Sequence, residues 1–126
     1  MKKFLINAAL AGALTVSAAM AAIPRNSLDW VDSIPGLKLY SAEYEHDEVQ
    51  KSYTFTSKSS YEAVVNGFKQ KGWQVTGKVT DDDAPDMPTI FLNKNNLKAK
   101  IDVDKEHGAQ GVFYELEVEI EESDYN

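Results

Sequence analysis

Two consecutive stretches near the C-terminus, "LKAKIDVD" (97–104) and "GVFYELEVEIEE" (111–122), alternate apolar and charged residues with a period of two. A strand sends successive side chains to opposite faces, so each run demands a sheet with one dry and one wet side. Leu97, Ala99, Ile101 and Val103 form one apolar row, and Val112, Tyr114, Leu116, Val118 and Ile120 extend it. Between the runs, His107-Gly108-Ala109-Gln110 offers glycine at the first central position of a two-residue type II′ turn, which predicts an antiparallel hairpin. Centred on Gly108-Ala109, the turn sets Glu117 opposite Lys100 and Glu119 opposite Lys98. The regularly spaced acids then read as the solvated side of a strand, half of them matched by lysine. Asp102, Asp104, Glu115 and Glu121 are left without a match.

The same alternation continues upstream. "EVQKSYTFTS" puts Val49, Tyr53 and Phe55 on one face, with Lys51 spoiling it, which places that end of the strand at the rim. A shorter strand precedes it near Ser41 to Glu45. "WQVTGKV" sets Trp73, Val75 and Val79 against Gln74, Thr76 and Lys78, and "TIFLN" joins "LKAKIDVD" through a tight turn at Lys94-Asn95-Asn96.

Only one segment has helical spacing. Tyr61, Val64, Val65 and Phe68 make a single apolar stripe, preceded by a Ser59/Glu62 capping box and ended by Gly72. Gly72 suits the left-handed residue of a Schellman cap, with Trp73 folding back on Phe68. Gly67 inside the helix is either a point of close approach to the sheet or a local cost of ~1 kcal/mol. The sequence therefore predicts an α+β fold in two layers, one helix over Ser60 to Lys71 on one face of a four- to six-stranded antiparallel sheet.

Ahead of this domain, "MKKFLINAALAGALTVSAAMA" has two lysines, an apolar run and an A-x-A ending, the pattern of a cleaved signal peptide over 1–21. Its apolar part is shorter than the ~20 residues of a bilayer span. The chain lacks cysteine, which excludes a lipidated cleavage point, disulfides and thiolate metal sites. The expected location is the periplasm or the exterior, as a protein that is not a lipoprotein. Residues 22–40 read as an extended lead-in, 41–122 as the domain and 123–126 as a tail. Without Lys2 and Lys3, 11 basic residues face 20 acidic ones, a formal charge of −9 with Arg25 the only arginine. Such a surface argues against nucleic acid and suits a basic partner.

The motifs for chemistry are sparse. The loop Asp81, Asp82, Asp83, Asp86 is acidic, but Pro85 occupies a ligand position and no glutamate closes an EF-hand pattern. "EYEHDE" (43–48) gathers acids around His46 and reads as a charged turn. No G-x-S-x-G elbow or Gly-rich phosphate loop is present, so no catalytic residue, metal ligand or cofactor is assigned. The polar sheet face is more informative. Phe91 and Phe113 fall there beside Thr76 and Lys78, as a binding surface or as the floor beneath Trp30, Ile34 and Leu37 of the lead-in.

The succession "IPGLKLYSAEY", "YTFTS" and "SYEAVVNGFKQKGW" followed by antiparallel strands resembles small exported bacterial domains with a Y-P-G-A-like turn, an F-x-T strand and a helix ending in G-W. Tyr40-Ser41-Ala42 stands here in place of Tyr-Pro-Gly-Ala. These modules carry no generally assigned activity, so the resemblance implies fold and export but no site. The function expected is an exported, non-catalytic binding module for a protein or small ligand of the cell envelope. The alternative is an acidic inhibitor or immunity-type protein that neutralises a basic hydrolase or toxin.

Overall fold

A computed structural model describes residues 23–123; the expected signal peptide and residues 124–126 lie outside them. The alternating runs form β1 (Lys38–Glu45), β2 (Glu48–Phe55), β3 (Gln74–Val79), β4 (Thr89–Lys94), β5 (Leu97–Gly108) and β6 (Gly111–Glu122). One helix, α1 (Lys58–Gln70), connects β2 to β3. All neighbours are antiparallel in the order β1-β2-β6-β5-β4-β3. The sheet stays open, with β1 and β3 as its edges and β6 in the middle. The chain is thus an α+β protein with a helix laid on an antiparallel sheet.

Alternation builds the core as expected. Val49, Tyr53, Ile90, Leu92, Ile101, Val103, Leu116 and Val118 are buried on one face, where Tyr61, Val64 and Phe68 of α1 meet them. The helix end follows the Schellman pattern: Trp73 N–H donates to Phe68 O at 3.1 Å and Gly72 N–H to Lys69 O at 3.1 Å. Gly72 has φ +96°, and Trp73 packs edge-on to Phe68 with ring centroids 5.4 Å apart. The start differs, because Ser57, not Ser59, is the N-cap and accepts from Ser59 N–H at 3.2 Å. In the run Ser57-Lys58-Ser59-Ser60 several hydroxyls could cap, and Glu62 instead lies 3.6 Å from Lys58 one turn back.

The lead-in resolves the choice left open for the polar face. It packs on the helix side, where Leu28 and Val31 are fully buried around a 3-10 turn at Asp29–Ser33. Burial of two such side chains stabilises this attachment by ~1.5–3 kcal/mol each. Trp30 meets Phe68 edge-on at 5.2 Å, and its ring occupies the space where a Gly67 side chain would lie. The close approach at Gly67 is therefore to Trp30, not to the sheet.

Lys51 also departs from its expected place. It points into the core face and is 2% exposed, far from a rim position. Its ammonium donates to Asp29 Oδ1 at 2.9 Å and Asp32 Oδ2 at 3.0 Å, while Tyr53 Oη donates to Asp32 Oδ1 at 2.6 Å. Burial tends to lower the Lys51 pKa, but the two carboxylates outweigh it and hold the group above its usual range. The same burial and the Asp32 acceptor push the Tyr53 hydroxyl well upward. The apparent defect in the apolar row is thus the anchor for the lead-in.

Candidate functional site

Because the helix and the lead-in share one side, the opposite face of the sheet is uncovered among the described residues. Its composition depends on strand register, and the register differs from the expected one by two residues. Ala109-Gln110 form the β5–β6 turn, so that Lys100 faces Glu119, Lys98 faces Glu121, Asp102 faces Glu117 and Asp104 faces Glu115. The left-handed residue follows the turn at Gly111, φ +118°, and does not lead it at Gly108. Both glycines could have carried that angle, which is why spacing alone missed the register.

Two electrostatic zones result. Near the β4 side, Thr76, Gly77, Phe91, Asn93, Lys98, Lys100, Glu119 and Glu121 line a shallow groove of about 640 Å³. Phe91 is 37% exposed and stands opposite Gly77, over which its ring lies. At the other end of the groove, the Glu119 carboxyl shares hydrogen bonds with Glu48 and Glu121. Burial, those two bonds and the neighbouring negative charges push its pKa up to about 8.

Toward the β5–β6 turn, carboxylates oppose carboxylates. Asp102 accepts from Thr89 Oγ1 at 2.8 Å, Glu117 accepts from Gln50 Nε2, and Glu115 accepts from Tyr40 Oη at 3.1 Å. Burial, then Asp102, Asp81, Glu115 and Asp83, raise the Asp104 pKa. Neutral donors thus share the carboxylates, but no lysine stands opposite these four acids.

The predicted site residues do not all converge. Phe91 and Thr76 share the groove. Lys78 does not, because a bulge between Val75 and Gly77 reverses the alternation and pairs Lys78 with Ile90, on the helix side. There it lines a separate depression with Tyr61, Glu62, Val65 and Lys69. Phe113 pairs with Glu106 near the hairpin tip, beyond the last β4–β5 pair at Ile90 and Ile101, and packs near Gly108. It lies six β6 positions from Glu119, the level of Phe91, or ~20 Å along the strand.

The loop residues Asp81, Asp82, Asp83 and Asp86 follow β3, anchored by buried Ala84 and Met87. Asp83 N–H donates to Asp81 Oδ1 at 2.8 Å, an Asx turn. Among the described residues no three His, Asp or Glu side chains are grouped to hold a metal ion. Sequence reasoning missed Lys98, Lys100, Asn93 and Glu119 as groove residues; their shared place on the polar face was legible, but their convergence needed the register.

The fold and face define an open-faced α+β domain with one mixed-charge groove and one acidic zone. Comparisons with protein-family models, curated proteins and solved structures find no match to this chain.

Proposed function

We propose that the chain is an exported, non-catalytic binding module of the cell envelope or exterior, and that it engages its ligand on the uncovered sheet face around Phe91. The observation that carries this reading is the placement of both the helix and the lead-in on one side. A sheet face left open, with an aromatic ring set among Lys98, Lys100, Glu119, Asn93 and Thr76, offers apolar contact and orienting polar groups together. Export rests on the signal-peptide pattern and on the resemblance to small exported bacterial domains.

A second reading has its own support. Acid opposite acid at Asp102/Glu117 and Asp104/Glu115 costs stability, and a cationic partner seated there would relieve that cost. This favours the acidic inhibitor or immunity-type protein as the alternative. Capture of binding partners by the immobilised protein at low and high salt, alongside a Phe91→Ala variant, separates the two. A partner retained in salt but lost with Phe91→Ala supports the groove. One lost in salt but kept by the variant supports the acidic zone, since exposed charges are screened within ~10 Å at 0.1 M salt. Retention by the variant at both salt levels contradicts both.

A further inference from the structure

β6 lies inside the sheet, and β1 forms one of its two edges. Eight residues long and paired with no strand on its outer side among the described residues, β1 leaves Leu39 43% and Tyr40 55% exposed, while Arg25 of the lead-in lies over the Tyr44 ring. An open edge presents backbone donors and acceptors to any second strand. The opposite edge, β3, is protected by its bulge, Gly77 and Lys78.

The faces of β1 follow from its pairing with β2. Leu39, Ala42 and Tyr44 oppose Tyr53, Lys51 and Val49 and lie on the helix side. Lys38, Ser41, Glu43 and Glu45 oppose Thr54, Ser52, Gln50 and Glu48 and lie on the polar side. Tyr40 is the extra residue of a bulge between Leu39 and Ser41. Among the described residues, neither Lys38 nor Glu45 has an ion-pair partner.

We infer that β1 pairs antiparallel with β1 of a second copy about a two-fold axis at Ala42. In that register Ala42 meets its own copy, the smallest side chain on the axis. Ser41 faces Glu43, Tyr40 is passed over as the bulge, Leu39 packs on Tyr44 and Lys38 faces Glu45. Every pair keeps to one face of the sheet, and each end gains an ion pair that the described residues of one chain do not make. The interface is isologous, as a two-fold requires. It joins the two sheets edge to edge and leaves the Phe91 groove of each copy open.

Two experiments test this. In sedimentation equilibrium, the protein dimerises, and Lys38→Glu or Glu45→Lys alone raises the dimer Kd by about tenfold or more, through loss of two pairs and gain of two like-charge contacts. The double variant Lys38→Glu/Glu45→Lys restores it. Circular dichroism melts check that these exposed substitutions leave the fold intact. Since the chain has no cysteine, Ala42→Cys gives an independent readout. Opposed residues in an antiparallel pair lie ~4.5–5.5 Å apart at Cα, within disulfide reach. Oxidised glutathione therefore converts Ala42→Cys to a linked dimer, whereas Asn95→Cys stays monomeric. A monomer at all concentrations, a double variant that fails to restore pairing, or equal cross-linking at both cysteines would overturn the inference.

Discussion

Lys51 Nζ and Asp32 Oδ2 lie 3.0 Å apart on the helix side of the sheet, and this contact, with Asp29, fastens the lead-in to β2. The lysine side chain is 3% exposed, but the Asp32 side chain is 39% exposed. The two partners are therefore unequal. Removing the Asp32 carboxylate leaves the buried ammonium with Asp29 alone and strands the Tyr53 hydroxyl, whereas removing the ammonium leaves carboxylates that water can reach. Asp32→Ala should cost ~2–4 kcal/mol in urea unfolding, and Lys51→Met less than ~1 kcal/mol. Equal losses would show that the pair is not anchored in this way. The raised Lys51 pKa contributes stability that is complete below the unfolded value and is lost as pH rises through the folded one.

Glu119 makes stability depend on pH in the opposite sense to an ordinary carboxylate. Its folded pKa of about 8 exceeds the unfolded value, so the folded state holds the extra proton between them. The stabilisation is present at pH 4 and below, and falls as pH rises toward 8. Solvent screening of a half-buried group reduces the effect to ~1–2 kcal/mol. Thermal melts should show a lower Tm at pH 8 than at pH 5.5, and Glu119→Gln should flatten most of that slope.

Gly67 sits where helix propensity and packing disagree. Alanine would gain up to ~1 kcal/mol in an exposed helix. Here its Cβ would lie 2.7 Å from Trp30 Cη2 and closer still to Cζ3. Gly67→Ala should therefore destabilise by ~1–3 kcal/mol in chemical denaturation, the range for overpacking. A stabilised variant would mean that Trp30 moves aside freely.

The acid-on-acid pairs should be detectable as excess stability when neutralised. Asp104→Asn and Glu115→Gln should each raise Tm at low salt, by a few tenths of a kcal/mol in free energy. Either change alone ends their mutual repulsion, so the double variant should gain less than the sum. Strict additivity would show that the two carboxylates do not interact.

The legible parts of the fold were those governed by local chemistry. Gly72 and Trp73 announce the helix end because few residues tolerate a positive φ and the next must pack back on Phe68. Alternation in β5 and β6 fixes the dry face because successive side chains of a strand point to opposite sides. The missed parts turn on small choices between near-equivalent residues. Gly108 and Gly111 compete for one turn angle, Ser57 and Ser59 for one cap, and a single bulged residue in β3 sends Lys78 across the sheet. Lys51 looked like a defect because its partners lie about 20 residues upstream, in a segment with no period of its own. Phe91 and Thr76 were placed together correctly on the polar face, whereas Phe113 was separated by length along the strand.

The proposed binding surface is the uncovered sheet face. A photo-crosslinking side chain placed at Asn93 beside Phe91, and another at Asn66 on the exposed side of α1, compares the two faces directly in cells. Adducts from position 93 that disappear with Phe91→Ala, with none from position 66, are the predicted result. Adducts from position 66 alone would place binding on the helix side and contradict a site on the uncovered face.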